Sequence, residues 1–159
     1  MTRVEVLGTG PEILSRGIRA IGPVTEEMIR DAKTEVQMLV YVLTSQAFHI
    51  LDLVSEAAER GVRVTIVVNA RVRENVAVRN RLRSLCESNR QVRILNFRGR
   101  EGSQLHAKII VVDRKRALVG SANLSWGGIY GNYEIALLVE GEAAWSLAQV
   151  VDALALASS

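Results

Sequence analysis

The stretch LHAKIIVVDRKRALVGSAN, from Leu105 to Asn123, contains two short apolar runs separated by a polar turn. The first run ends at Asp113, and the second covers Arg116 to Val119. Apolar runs of this length, bounded by turn residues, are typical of buried strands. The stretch therefore predicts two successive strands in the interior of a sheet, and the rest of the chain must supply their neighbours.

Polar residues stand two apart at the ends of these runs. His106 and Lys108 are at the head of the first run, and Ser121 and Asn123 follow the second. Because successive side chains of a strand alternate between faces, residues at i and i+2 point the same way. Asp113 lies at an odd offset from His106 and Lys108, which places it on the opposite face. The spacing predicts that the two pairs converge on one anion, with Asp113 in a supporting position.

Six residues fit the pattern HxK(x)4D(x)6GSxN without a departure in spacing: His106, Lys108, Asp113, Gly120, Ser121 and Asn123. A chance match at a given start is below about one in ten million from average residue usage, which disfavours the alternative of a buried hairpin with a packed histidine. At these residues the sequence resembles the phospholipase D superfamily. The resemblance extends to Asn132 and to Glu134, an acidic residue of the type that family members carry after the motif.

The resemblance implies an α/β sandwich and phosphodiester chemistry through a phosphohistidine intermediate that water hydrolyses. It also implies no cofactor and no metal. Single-motif members resemble half of the two-motif enzymes and act as homodimers. The chain further resembles the phospholipase D-like components of phage-defence systems such as DISARM, which implies a possible larger defence complex.

Hydrophobic periodicity predicts alternating strands and helices along one domain, residues 1–159. Expected strands cover 3–8, 36–43, 62–68, 92–97, the motif region and 133–140, and expected helices cover 12–21, 25–36, 46–60, 73–87 and 142–156. Gly22-Pro23 is expected to close the first of these helices, and Thr25 to cap the second. Alternation of this kind predicts a mixed β-sheet flanked by helices on both faces.

The charge is concentrated in one block. Residues 71–100 contain nine arginines and only two glutamates, whereas the chain as a whole has a net charge of +3. Arginine forks onto phosphate oxygens, so a nucleic-acid backbone, DNA foremost, is the expected partner. Arg98 and Arg100, next to the motif, are expected to bind substrate. Residues 79, 81 and 83 are equally well explained as a solvated helix face.

Phosphodiester cleavage needs a nucleophile, groups that stabilise the phosphate oxygens, and an acid for the leaving alkoxide. His106 is the expected nucleophile, because an imidazole can attack phosphorus and can also carry a proton. Lys108 and Asn123 are expected to hold the phosphate oxygens, with a hydroxyl donor from Ser121. Glu134 is expected to hold the second imidazole nitrogen. Asp113 is retained as a candidate catalytic residue, although a structural role suits its offset better.

A neutral imidazole must attack phosphorus, and a protonated imidazole must supply the proton for the leaving alkoxide. The reaction therefore requires two histidines at one phosphate. The chain has two in total, and the other, His49, lies beside Phe48 in an expected helix without motif or partners. The sequence therefore predicts a homodimer with the active site on its two-fold axis, where both copies of His106 meet. Trp126 is expected to stack on a base, to line the subunit contact, or simply to pack.

Three functions remain open on these residues. The first is a metal-independent nuclease, and the second is a nucleic-acid-binding subunit of a defence system with little cleavage of its own. The third is a phospholipase or phosphatidyltransferase, which is disfavoured because no bilayer-length apolar run or basic amphipathic helix with bulky aromatics is present. A single cysteine, Cys86, and the absence of a signal-peptide pattern predict a cytoplasmic protein without membrane partners.

Overall fold

The computed structural model describes residues 1–159 and contains one eight-stranded mixed sheet. The strands are β1 (Arg3–Thr9), β2 (Arg19–Ala20), β3 (Glu35–Val40), β4 (Arg63–Val68), β5 (Val92–Asn96), β6 (Ile109–Val112), β7 (Arg116–Gly120) and β8 (Glu134–Glu140). Their order across the sheet is β2-β1-β8-β7-β6-β3-β4-β5. The neighbours β3, β4 and β5 are parallel, as are β1 and β2. Each adjacent pair along β3-β6-β7-β8-β1 is antiparallel.

Helices cover both faces, which confirms the predicted sandwich. They are α1 (Pro11–Leu14), α2 (Ile21–Asp31), α3 (Phe48–Glu59), α4 (Val76–Ser88) and α5 (Glu142–Leu156). Apolar residues of α2, α3 and α4 join one face of the sheet in a core of 33 buried residues. On the other face α5 packs alone, through its alanines and Val151, in a core of 10 buried residues.

Two local predictions near the N-terminus were wrong. The expected helix 12–21 ends at Leu14, and Gly22-Pro23 lies in the first turn of α2 instead of closing a helix. Proline is tolerated there because the first turn has no acceptor for its missing N–H. Thr25 consequently lies within α2, and its hydroxyl donates a 2.8 Å hydrogen bond to the carbonyl of Ile21 rather than capping the helix.

The predicted helix 73–87 is divided in two. A 3-10 turn covers Ala70–Glu74, and α4 begins after Asn75. The Asn75 side chain accepts a 3.1 Å hydrogen bond from the amide of Val78, so this asparagine caps the helix. Ser45 also begins a 3-10 turn, Ser45–Ala47, ahead of α3, and makes no capping hydrogen bond.

The motif segment enters the sheet later than expected. β6 begins at Ile109, and its ladder with β3 starts at the Leu39–Ile109 pair, so His106 and Lys108 lie in the connection that precedes the strand. Since β6 is antiparallel to β3, this connection lies at the carboxyl ends of β3, β4 and β5. Sites in α/β sheets commonly form at that edge.

Candidate active site

His106 and Lys108 lie on the same side of the chain, as their spacing predicts. The Lys108 ammonium is 3.3 Å from His106 Nδ1 and donates a 2.7 Å hydrogen bond to the His106 carbonyl. Tyr41 supports both residues, because its ring centroid is 4.2 Å from that of the imidazole and 4.8 Å from Lys108 Nζ. The imidazole itself is exposed. An imidazole and a cation are thus held against one aromatic ring at an open surface.

The environment of Lys108 changes its acidity. Burial lowers the pKa of the Lys108 ammonium below its ordinary value, and the negative charge of Glu134 partly offsets that effect. The charge of Lys108 therefore depends on how much water reaches it beside Tyr41.

Ser121 and Glu134 form a second polar group that the sheet positions. The Ser121 hydroxyl donates to the Glu134 carboxylate and accepts a 3.2 Å hydrogen bond from the Ile135 amide. Asn132 donates to the same carboxylate over 3.3 Å, and Thr9 accepts from the Glu134 amide at 3.0 Å. The expected contact between Glu134 and the His106 imidazole is absent within one chain, because these neighbours occupy the carboxylate while Nδ1 faces Lys108.

Gly120 begins the GSxN segment at a point of close backbone contact. A Cβ at this position would lie 2.4 Å from the carbonyl oxygen of Ile135 and 2.6 Å from the Cα of Ala136 in β8. Only glycine fits such an approach without moving a strand. The glycine of the motif therefore lets β7 and β8 position Ser121.

Asn123 is fixed through its backbone. A Cβ on Gly128 would lie 2.1 Å from the Asn123 carbonyl oxygen, and the next residue, Leu124, donates a 3.2 Å hydrogen bond to Val42 beyond β3. The side chain lines an apolar pocket together with Tyr41 and Lys108. Its Oδ1 atom is buried without a hydrogen-bond partner. A buried, unpaired amide beside Lys108 is the kind of exception that accompanies function.

Asp113 occupies the opposite end of β6, roughly 16 Å along the strand from Lys108. With Arg114 it forms a turn in which both residues have positive φ, 53° and 57°. Burial alone would raise the pKa of Asp113, but hydrogen bonds from the backbone at Glu35, Thr34 and Lys33 outweigh that effect and hold the pKa below its ordinary value. This geometry supports a structural role for Asp113 in the turn, away from Lys108.

The remaining aromatic and histidine candidates lie apart from these groups. His49 Nε2 is 2.9 Å from the Tyr130 hydroxyl and 3.7 Å from Glu26, and it does not contact a motif residue. Trp126 is 56% exposed, and its ring packs over Gly131. The open face of Trp126 remains available to a base or to another subunit.

Arg98 and Arg100 line an open polar pocket together with Arg71, which the sequence did not single out. Tyr41 was also missed, although the pairing of β3 with β6 brings it beside the motif. Thr9 and Gly128 gave no signal in the sequence, because their roles depend on strand neighbours and loop closure.

The structure groups no three His, Cys, Asp or Glu side chains in a manner that could hold a metal ion. None of the helices combines the length and the apolar character that crossing a bilayer would require.

Comparisons with known proteins agree with this architecture. The family model described as cardiolipin synthase, PLD-like domain, matches residues 26–154. The DISARM protein DrmC of Bacillus paralicheniformis is 36% identical over 145 residues, which are 87% of this chain and 58% of that protein. Cardiolipin synthase A of Yersinia pestis is 36% identical over 106 residues, 65% of this chain and 21% of the synthase. The chain thus spans well under two thirds of these relatives.

Two solved structures share the fold over nearly their whole length. Nuc from Salmonella typhimurium, a phospholipase D family member, superimposes with a TM-score of 0.77 at 23% sequence identity. The superposition covers 100% of this chain and 97% of the Nuc chain. NucT from Helicobacter pylori has a TM-score of 0.80 at 16% identity, with 99% and 98% coverage. At these identities the likeness establishes the fold.

Proposed function

The chain belongs to the phospholipase D superfamily, and from that premise we propose that it is a metal-independent nuclease whose active site is shared by two copies of the chain. Its substrate is nucleic acid, DNA foremost, and its reaction is hydrolysis of a phosphodiester bond. The observation that carries this proposal is the exposed His106–Lys108 pair beside Asn123, which supplies half of the groups that the reaction needs.

Each copy contributes one imidazole. His106 of one copy attacks phosphorus to form a P–N bond, and the leaving alkoxide takes a proton from His106 of the second copy. Water then attacks the phosphohistidine, the second imidazole accepts a proton from that water, and the P–N bond breaks to release the phosphate end. Lys108 and Asn123 stabilise the negative charge on the non-bridging oxygens throughout.

The tautomer of His106 decides whether its imidazole can attack. Nucleophilic Nε2 requires a proton on Nδ1, yet Nδ1 of His106 faces the Lys108 ammonium, which is itself a donor. A carboxylate is the natural acceptor for an Nδ1 proton, and Glu134 stands beside the site. Dimer formation supplies both the second imidazole and a reason for the ring to turn toward such an acceptor.

The arginine block favours nucleic acid over lipid. Residues 71–100 have nine arginines and two glutamates, and this block leads directly into the motif segment. A repeated phosphate backbone neutralises such a block more completely than a lipid headgroup does.

An accessory role is the second candidate. The 36% identity to a DISARM protein favours a component of a defence assembly that binds DNA and depends on partner proteins for target choice. In that case the purified chain binds DNA in a salt-sensitive manner without turnover.

Plasmid cleavage in EDTA tests the proposal. We expect the wild-type chain to cut, His106→Ala to be inactive, and the matched variant His49→Ala to retain full activity because His49 contacts only Tyr130 and Glu26. Equal cutting by wild type and His106→Ala would refute the mechanism. Absence of cutting with retained DNA binding would favour the accessory role, and release of phosphatidic acid from vesicles would favour a lipid substrate.

A further inference from the structure

An open pocket of about 370 Å³ lies next to the active site, at the carboxyl ends of β4 and β5. It is formed by the turn after β4 and by the loop between β5 and the motif segment. Its lining residues are mostly polar, with only two hydrophobic residues among 10. Three of them are arginines: Arg71, Arg98 and Arg100.

These three arginines are not neutralised by the protein. Arg114 and Arg116 elsewhere in the chain form ion pairs with carboxylates, whereas none of the pocket arginines does. The side chain of Arg98 bonds only to the Ser159 hydroxyl, at 3.0 Å. Like charges gathered around one concavity repel one another unless an anion joins them. The pocket therefore has the charge and the donors for a bound phosphate.

The pocket is tied directly to the catalytic segment. Asn69 is 4% exposed, and its Oδ1 accepts a 3.0 Å hydrogen bond from the Arg71 amide. Its Nδ2 donates a 3.2 Å hydrogen bond to the carbonyl of Leu105, the residue before His106. One buried amide thus fixes an arginine of the pocket relative to the nucleophile.

The separation suits a polymer. Gln104 lines the pocket and lies two residues before His106, about 7 Å along an extended chain. A nucleic-acid strand carries a charge about every 3.4 Å of helix axis. A phosphate close to the scissile one along the same strand is therefore within range of the Gln104 edge of the pocket.

We propose that the pocket of Arg71, Arg98 and Arg100 binds a backbone phosphate flanking the scissile phosphodiester, so that the chain selects a polynucleotide over an isolated diester. This inference rests on the proposed nuclease function and specifies its substrate. Only two of the 10 lining residues are hydrophobic and three are arginines, which favours a nucleic-acid phosphate over a lipid one. On the two-fold axis of a dimer, the second copy's pocket would bind the strand on the other side of the cut.

Comparing two substrates distinguishes an effect on phosphate binding in the pocket from an effect on the cleavage step. We expect Arg71→Gln, Arg98→Gln and Arg100→Gln each to reduce kcat/KM on a 12-nucleotide oligonucleotide about tenfold, the scale of one charge-assisted hydrogen bond. On bis(p-nitrophenyl) phosphate, which has a single phosphate, the same variants should lose much less of their rate than they lose on the oligonucleotide. The matched control is Arg90→Gln, because Arg90 belongs to the same basic block but precedes β5, at the opposite end of the sheet. It should change neither rate.

Unchanged cleavage of the oligonucleotide by all three variants would overturn the inference, and so would equal losses on both substrates. If the wild-type chain cleaves neither substrate, the nuclease proposal fails, and oligonucleotide binding by the variants then tests the phosphate-binding role of the pocket. In that case the inference is supported if the variants weaken oligonucleotide binding and lower the slope of log K against log salt by about 0.7 for each phosphate that is no longer neutralised on this single strand. It is overturned if that slope is unchanged, or if the variants lose binding only to phosphatidylglycerol vesicles.

Discussion

The Asp113 carboxylate accepts a 2.7 Å hydrogen bond from the backbone amide of Thr34, 79 residues earlier in the chain. It also accepts bonds from the Thr34 hydroxyl at 2.9 Å, from the Glu35 amide at 2.9 Å and from the Lys33 amide at 3.0 Å. The aspartate of the motif thus fastens the β6–β7 turn to the start of β3. It stabilises β6, and Lys108 lies just before the opposite end of that strand.

Replacing Asp113 with alanine should destabilise the fold by about 2–3 kcal/mol, since several backbone donors lose a charged acceptor. Denaturant unfolding followed by circular dichroism measures the change. Asp31→Ala is the matched control, because Asp31 is an exposed acid 3.8 Å from Arg116 and should change stability by less than about 0.5 kcal/mol. Below its melting transition, Asp113→Ala should retain phosphodiester cleavage. A variant of unchanged stability that has lost turnover would instead place Asp113 in the chemistry.

Acid should erase the difference between Asp113→Ala and the wild type. The folded-state pKa of Asp113 is lowered, so the carboxylate contributes stability above its unfolded pKa, about 3.9. That contribution is lost as the pH falls through the lower folded value. We therefore expect a constant stability difference from about pH 5 to pH 8, and a shrinking one below about pH 4. A difference that persists undiminished at pH 2 would show that the charge of Asp113 is not its source.

The sheet and its order of strands and helices were accessible from the sequence because buried parallel strands are continuous apolar runs. The course of the chain around Gly22-Pro23 was not, because glycine and proline both occur at helix starts and after helix ends. Their position in the first turn of α2 is set by packing of Ile21 and Val24 in the core.

Contacts in the candidate site were predictable where two residues lie close together in the sequence. They were not predictable where two residues meet only because their strands pair in the sheet. His106 and Lys108 are adjacent because they are two residues apart. Tyr41 reaches them only through the register that places Leu39 opposite Ile109. The hydrogen bond that the Asn132 side chain donates to the Glu134 carboxylate likewise depends on a loop conformation that no local sequence pattern specifies.

Tyr41 should control the alkaline limb of the activity profile. Burial lowers the pKa of Lys108, and the Tyr41 ring contributes to that burial by lying 4.8 Å from its ammonium. Activity that needs charged Lys108 falls as the pH rises through this pKa. Tyr41→Ala admits water, so the limb should move to higher pH, while kcat falls about tenfold because the ring no longer positions His106 and Lys108. Tyr41→Phe keeps the ring and should leave the limb in place. If the alkaline limb of the pH–activity profile has the same position in Tyr41→Ala, the Tyr41 ring does not set the pKa of Lys108.

A subunit-mixing experiment should show whether two copies of His106 act at one phosphate. Wild-type and His106→Ala chains are unfolded together and refolded at varied ratios, so that dimers form at random. If each site needs both imidazoles, only wild-type pairs cut, and activity falls as the square of the wild-type fraction. His49→Ala is the matched partner for the titration, and mixing it with wild type should leave activity unchanged.

A linear fall in the same titration would mean that each site uses the histidine of one chain only, whether the active sample sediments as a monomer or as a dimer with independent sites. The square law discriminates because it depends on the number of histidines per site and not on the rate of any single step. His106 is the one histidine that contacts the motif lysine, since His49 is engaged by Tyr130 on a different surface. A quadratic dependence would therefore assign the missing acid to the second copy of the same residue.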